Sequence, residues 1–318
     1  MSPLTRPLDI PGTTVLVVGG GTMGAGIAAT AVRAGLHVVL VERDQASAET
    51  AREKVQKLVE GRGGDANADI PGTLHSTSSM PADIAPDLVI ESVPEDFALK
   101  RQVLTEAGER YPDALLTTNT SALSIDLLAT HVRKPERFVG LHFFNPVPRS
   151  TLIEIVHSSR TDPEWLAVAS QWATRLGKHS IVVADSPGFA TSRLGIAIGL
   201  EAMRMVAEGV ASCADIDKGM VLGYKFPIGP LELSDMVGLD VRLAIARYLH
   251  TELGERFAPP EILVEKVAEG DLGMKSGRGF YEWQGRKRLS ALDVPREQIA
   301  TARGSGPRTL SGGDPGTT

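Results

Sequence analysis

The sequence predicts an α/β domain built on a mostly parallel sheet, followed by an all-α domain. Three observations predict it. Short apolar, β-branched runs recur through the first half of the chain, as in Thr14–Val18 and His37–Val41. Small-residue or amphipathic helical patterns alternate with them, as expected of strands covered on both faces by crossover helices. Beyond Asp185-Ser186-Pro187-Gly188-Phe189 the strand signals stop, and helical periodicity dominates to about Gly270.

Element by element, Thr14–Val18 leads directly into glycines, and an alanine-rich helical stretch follows from Met23 to Ala34. After the strand His37–Val41 comes a helix over Ala48–Glu60, with Ala48, Ala51, Val55, Leu58 and Val59 on one face. Asp87–Glu91, Leu115–Thr118 and Phe138–Phe143 read as further strands, and Leu152–His157 and Ser180–Ala184 as the last two. Between those two, Asp162 and Pro163 have the chemistry of an N-cap and a first helical residue, and Gly177 marks the helix end. In the second half Ile196, Leu200, Met203 and Ala207 share one helix face, and Ser212 with Asp215 forms a capping box. The expected domains are an N-terminal arm (1–12), the sheet domain (13–185), the helical domain (186–284) and a tail (285–318). That tail turns basic, then Gly/Ser/Pro/Thr-rich, with too little apolar surface to fold, and is expected to be disordered.

Composition bounds the function. The 318 residues suffice for two domains with substantial cores. A net charge of −6 without any Lys/Arg-rich stretch excludes a nucleic-acid surface. Cys213, the single cysteine, cannot form an internal disulfide, which fits a reducing compartment. Met1–Gly12 lacks the basic and apolar segments of a signal peptide, and no apolar run is long enough for a bilayer. A cytoplasmic protein without membrane association is expected, and no metal site.

Gly19-Gly20-Gly21-Thr22-Met23-Gly24 fits G-x-G-x-x-G. Alone the match is weak. Here a buried strand precedes it, a small-residue helix follows, and a second strand ends in Glu42, 18 residues after Gly24. This is the context of a Rossmann-type dinucleotide site. Gly19, Gly21 and Gly24, with Thr22 and Met23, bring backbone N–H groups to a pyrophosphate at a helix N-terminus. Glu42 accepts hydrogen bonds from adenosine ribose hydroxyls and repels a 2′-phosphate, which favours NAD over NADP. Arg43 is the discordant residue, since it can pair with that phosphate.

Gly140-Leu141-His142-Phe143-Phe144-Asn145-Pro146-Val147-Pro148 and, after it, Glu154 carry the second signal. His142 ends a strand, where α/β folds place ligands, and Glu154 on the next strand can bond its imidazole. Oxidation of an alcohol needs such a base. On spacing alone, a strand-end histidine without chemistry is the more common case.

These segments, with Val17-Val18-Gly-Gly-Gly-Thr-Met-Gly-Ala-Gly-Ile-Ala28, Asp87-Leu-Val-Ile-Glu-Ser-Val-Pro-Glu95 through Lys100, Thr118-Asn119-Thr120-Ser121, Ser186-Pro-Gly-Phe189, Ile228-Gly-Pro-Leu231 and Lys275-Ser-Gly-Arg-Gly-Phe-Tyr281, resemble the L-3-hydroxyacyl-CoA dehydrogenases, particularly the 3-hydroxybutyryl-CoA type. They run in family order from about residue 13 to 283. The resemblance implies an N-terminal domain holding NAD, a helical domain supplying a homodimer contact, and His142 as base in oxidation and acid in reduction, paired with Glu154. It implies Ser121 near the reacting hydroxyl, Asn145 holding His142 and the substrate, and Asn119, Glu95 and Lys100 lining the cofactor cleft. Plainer readings stay open: Ser121 as a helix cap, Glu95 with Lys100 as a solvated ion pair.

The chain departs from the family pattern in three places. Ser192 stands where the family commonly has an asparagine reaching the active site. Gly61-Arg62-Gly63-Gly64-Asp65 breaks the first long helix, and Ile70-Pro71-Gly72-Thr73 soon returns toward the sheet, so the charged hairpin that meets CoA is shortened. Lys54, Lys57 and Arg62 are then either CoA-phosphate contacts or a solvated helix face. Arg149-Ser150-Thr151 replaces residues that are often apolar or lysine. The leading expectation is NAD-dependent interconversion of a short-chain (S)-3-hydroxyacyl thioester and its 3-oxoacyl form. The alternatives are the same chemistry on a carrier-protein-bound acyl group or on a free, carnitine- or gulonate-like 3-hydroxy acid, and a non-catalytic NAD-binding protein.

Overall fold

The computed structural model describes residues 13–61 and 72–292. The N-terminal arm, the helix-breaking segment from Arg62 to Pro71 and the tail beyond residue 292 lie outside the described residues, so the expectations for them do too.

The chain divides into two compact units between Ser192 and Arg193. The first carries β1 (Thr14–Val18), α1 (Thr22–Arg33), β2 (His37–Val41), α2 (Gln45–Glu60), β3 (Thr73–Thr77), β4 (Leu88–Glu91), α3 (Phe97–Arg110), β5 (Leu115–Thr118), α4 (Ile125–Ala129), β6 (Phe138–Phe143), β7 (Leu152–His157), α5 (Pro163–Arg175) and β8 (His179–Ala184). The strands form one sheet in the order β3-β2-β1-β4-β5-β6-β7-β8. Every pairing is parallel except β6–β7. Strand order reverses between β1 and β4, and ligands bind at such a switch point, beyond the carboxyl ends of the strands. The alternation in β1 shows why the runs are continuously apolar. Val15 and Val17 join a core with α1 and α5, while Leu16 and Val18 join a separate core with α3 and α4.

Local chemistry sets the helix ends. Asp44, Asp96, Ser124 and Asp162 each accept a first-turn N–H, capping α2, α3, α4 and α5. Pro163 stands in the first turn of α5, and Gly177 after its end has φ +69°. On α2, Ala48, Ala51 and Val55 are buried as expected, but Leu58 is exposed. Among the described residues no helix is long and apolar enough to cross a membrane.

The second unit contains most of α6 (Thr191–Ala207), then α7 (Cys213–Gly223), α8 (Pro230–Val237), α9 (Leu239–Leu253) and α10 (Glu261–Ala268). Its core gathers Ile196, Leu200, Met203, Leu231, Leu243, Leu249 and Phe280. Ser212 caps α7 through the N–H of Asp215, its hydroxyl bonding that aspartate's carboxylate. Two buried aspartates tie the helices together. Asp217 accepts from the N–H groups of Leu231 and Glu232 at the start of α8 and from the Tyr281 hydroxyl. Asp235 accepts from the N–H groups of Phe280 and Tyr281 and from the Trp283 indole, all at 2.9 Å.

Two expected boundaries move. The sheet unit extends past residue 185, because Phe189 is buried in its core and the N–H groups of Ala190 and Thr191 bond Glu154. The start of the expected tail is folded: β9 (Tyr281–Gln284) and β10 (Lys287–Ala291) form an antiparallel hairpin about Gly285. Its stability comes from backbone pairing and from the Arg288 guanidinium over the Tyr281 ring at 4.8 Å, neither of which composition reveals.

Candidate active site

The glycine loop turns the chain from β1 into α1. Gly19 has φ +98°, and a Cβ there would fall 2.6 Å from the Ser92 carbonyl oxygen. A Cβ on Gly24 would fall 1.7 Å from the Gly19 oxygen, so both glycines are required by close backbone approach. Gly21 is different. A Cβ there would meet nothing within 4 Å, and Gly21 is an N-cap without any side-chain hydrogen bond. The first turn of α1, with Thr22 and Met23, therefore opens into free space with uncapped N–H groups, a cradle suited to a diphosphate. At the end of β2, Glu42 Oε1 accepts from the Gly20 N–H at 2.6 Å, and Oε2 accepts from its neighbour Arg43 at 3.1 Å. The Arg43 side chain is 85% exposed and pairs with Asp44. These residues fit NAD: a carboxylate is held at the tip of β2, and the nearby arginine is engaged elsewhere.

His142 and Glu154 are direct cross-strand partners in the antiparallel β6–β7 pair, so their side chains share one face. His142 Nδ1 is 2.7 Å from Glu154 Oε2, and His142 is 5% exposed. Glu154 is fully buried and also accepts from the Thr191 hydroxyl at 2.8 Å and from the N–H groups of Thr191 and Ala190 at 2.9 and 3.2 Å. Burial alone would push its carboxyl up, but the hydrogen bonds from His142 and Thr191 outweigh that and hold it below its ordinary value. An ionised carboxylate only accepts, so Nδ1 is the donor in this pair and Nε2 is left to meet a partner on the other side of the ring. Nε2 faces Ser121 Oγ at 3.3 Å. The ring is flanked by Phe144 and Phe189, with centroids at 4.6 and 5.6 Å.

The Ser121 loop is built from beneath. Glu95 Oε1 accepts from the Thr120 hydroxyl and from the N–H groups of Ser121 and Ala122. Asn119 Oδ1 accepts from the Phe143 N–H, its Nδ2 donates to Ser92 Oγ, and its carbonyl accepts from Lys100 Nζ. Lys100 also donates to Glu91 at 2.9 Å and lies 3.4 Å from Glu95. Burial pushes the Glu91 carboxyl up even against Lys100 and the Thr118 hydroxyl.

Two sequence expectations change here. Lys100 has no exposed side-chain surface, so it neither lines a cleft nor forms a solvated pair with Glu95. It braces the loop from below. Asn145, expected to hold His142, is exposed, and the imidazole's partners are Glu154 and Ser121 instead. The helix after the loop is capped by Ser124, not by Ser121. Ser192 is half-buried in the first turn of α6, and Lys54 is exposed on α2. Sequence reasoning missed Thr191, Phe144, Phe189 and Glu91. Thr191 is 37 residues from Glu154 and no spacing rule links them. Phe144 and Phe189 stood inside the quoted motifs, and their aromatic character beside a candidate base was the available signal.

Comparison with known proteins identifies the family. The 3-hydroxyacyl-CoA dehydrogenase NAD binding domain matches residues 14–186, and the C-terminal domain of the same family matches residues 188–283. A 3-hydroxybutyryl-CoA dehydrogenase of Mycobacterium tuberculosis is 39% identical over 277 residues, covering 84% of this chain and 97% of the relative. The crystal structure of (S)-3-hydroxybutyryl-CoA dehydrogenase from Ralstonia eutropha superposes with a TM-score of 0.75 at 37% identity, covering 85% of this chain and 99% of that one. A solved NAD+-dependent dehydrogenase named for a free pyridine carboxylic acid is 30% identical, with a TM-score of 0.66, over 92% of this chain and 94% of its own. The chain belongs to the 3-hydroxyacyl-CoA dehydrogenase family, NAD-dependent oxidoreductases that act on CH–OH groups.

Proposed function

We propose that this enzyme interconverts a short-chain (S)-3-hydroxyacyl thioester, carried on CoA, and the corresponding 3-oxoacyl thioester. The observation that supports it best is the line Ser121–His142–Glu154, an imidazole held by a carboxylate with its other nitrogen facing a hydroxyl. Gly19, Gly21, Gly24 and Glu42 would hold NAD, which would supply the hydride acceptor for oxidation at C3. His142 Nε2 takes the proton of the C3 hydroxyl as the carbonyl forms, and Glu154 stabilises the resulting imidazolium. In reduction the imidazolium returns that proton to the new alkoxide. Ser121 orients the reacting oxygen through its hydroxyl, and Glu95 fixes Ser121 through its backbone N–H. Ser192 and Asn145 supply further polar contacts to the substrate, and exposed Lys54 meets the CoA phosphates.

The test is reduction of acetoacetyl-CoA by NADH. Wild type should turn over, and His142→Gln should lose about 10²–10⁴-fold in kcat while binding NADH as before. A full-rate variant contradicts the proposal. A second reading, the same chemistry on a free or carrier-bound 3-hydroxy acid, is favoured by the similarity to an enzyme named for a free carboxylic acid. Turnover of such acids with an inert acetoacetyl-CoA would establish it. We place the protein in the cytoplasm as a homodimer. Leu233, Met236 and Val237 of α8 and Val241 of α9 are exposed apolar residues of the helical unit suited to that contact. Sedimentation at the mass of a dimer checks it.

A further inference from the structure

Asn119 stands one residue past β5, at the point where that strand's pairing stops. The β5–β6 ladder ends at Thr118 and Gly140, yet β6 continues to Phe143 with β7 as its paired neighbour. His142 therefore lies on a strand end that has lost its ladder on the β5 side. Asn119 takes the place of that ladder. Its Oδ1 accepts from the Phe143 N–H at 3.2 Å. A backbone N–H can only donate, so the amide oxygen faces β6 and the amide nitrogen faces the other way. Nδ2 donates to Ser92 Oγ at 3.2 Å. The backbone of Asn119 is fixed as well, with its N–H on the Glu91 carbonyl at 2.7 Å and its carbonyl on the buried Lys100 ammonium.

Ser92 leads to the cofactor side of the same unit. Its N–H donates to the Val18 carbonyl at the end of β1 at 2.7 Å. Its own carbonyl lies against Gly19, where a Cβ would come within 2.6 Å, and a Cβ on Gly24 would stand 3.5 Å from the Ser92 Cβ. Ser92 is thus packed on the glycine turn at two points. One carboxamide spans from that turn to the strand end that carries His142. Hydride transfer depends on such spacing, because a displacement of about 1 Å can cost on the order of 10²-fold in rate.

We propose that Asn119 is a positioning residue for hydride transfer, tying the glycine turn to the end of β6 and so setting the distance between a dinucleotide held at that turn and the His142 imidazole. The inference rests on the reading of His142 and NAD above and adds a residue to it. Asn119 acts through Ser92 and Phe143 and moves no proton.

The test is a double-mutant cycle on Asn119→Ala and Ser92→Ala, read in acetoacetyl-CoA reduction, in NADH affinity and in amide exchange of the cofactor-free protein. N119A should lower kcat by about tenfold or more, with the NADH dissociation constant within about twofold of wild type, because alignment is lost and binding is not. S92A breaks the link on the cofactor side alone and should cost about three- to fivefold in kcat, as expected for one hydrogen bond. The double variant should fall no lower than N119A, since both substitutions break one chain of bonds. Without NADH, the Phe143 amide should exchange about tenfold faster in N119A and at the wild-type rate in S92A. Additive losses, a wild-type kcat in N119A, a loss confined to NADH affinity, or a Phe143 amide unchanged in N119A overturns the inference and leaves the dehydrogenase reading intact. If N119A does not fold, S92A decides, and full kcat in that variant overturns the inference. A wild type inert toward acetoacetyl-CoA contradicts the thioester reading and this inference with it.

Discussion

Each unit of this protein contains a buried carboxylate that collects hydrogen bonds from several elements, and the two behave oppositely. Glu154 in the sheet unit takes donors from His142, Thr191 and Ala190 and is held below its ordinary value. Asp235 in the helical unit takes donors from Phe280, Tyr281 and Trp283 and is raised, because burial outweighs them. The balance between burial and hydrogen bonding makes the difference. Burial is the largest influence on both: at Asp235 it outweighs the hydrogen bonds from Trp283, Phe280 and Tyr281 and the nearby Lys266 charge, whereas at Glu154 the hydrogen bonds from His142 and Thr191 outweigh it. The first carboxylate sits against the candidate base His142. The second is a staple for the turn that carries Phe280 and Tyr281.

The largest effect should come from breaking the staple. Asp235→Ala strands three buried donors, and the helical unit should lose on the order of 3–6 kcal/mol in urea unfolding. A loss below about 1 kcal/mol would show that water replaces the carboxylate and that the comparison is misdrawn. Gly273 and Gly279 belong to the same device, since a Cβ at either would collide with Asp235.

These two sites were unequally legible in the sequence. His142 and Glu154 belong to local motifs, and their strands follow from the apolar runs that contain them. Antiparallel pairing then places them opposite each other. Lys100 was misjudged because a lysine five residues from a glutamate reads as a solvated pair, and only the packing of α3 under the Asn119 loop buries it. The Thr191–Glu154 bond spans 37 residues and leaves no periodic trace. The β10 strand was read as the start of a disordered tail because Lys287–Ala291 is polar and its order comes from pairing with β9.

On the catalytic side, Glu154→Gln should lower kcat by about 10²-fold with NADH affinity unchanged, because the amide no longer balances an imidazolium. Equal losses of rate and NADH affinity would make Glu154 a scaffold residue like Asp235. The pH dependence of stability separates the two further. The folded value of Glu154 lies below the unfolded one, so its contribution is present above about pH 4.5 and disappears as pH falls through the folded value. Asp235 has the opposite sign: its contribution is complete below about pH 3.9 and is lost as pH rises through its elevated folded value. Acid titration followed by urea unfolding should therefore show a shallower acid loss in Glu154→Gln than in wild type; an unchanged acid limb contradicts the assignment.

Thr191→Val removes one hydroxyl from Glu154 and should cost about 1 kcal/mol, read as roughly fivefold in kcat, with thermal stability nearly unchanged. Arg43→Ala should alter the NADH-to-NADPH preference by no more than about twofold, since the guanidinium is exposed and pairs with Asp44. A strong gain of NADH preference would mean that Arg43 had been recruiting a 2′-phosphate.

If Glu154 acts on His142 as proposed, it fixes which ring nitrogen carries the proton. The most direct test is the ¹⁵N and ¹H spectrum of the His142 ring at neutral pH. A proton on Nδ1, hydrogen-bonded to Glu154, with Nε2 unprotonated is expected in wild type, and that pattern should be lost in Glu154→Gln. A proton on Nε2 in wild type, or a pattern indifferent to Glu154→Gln, would contradict it.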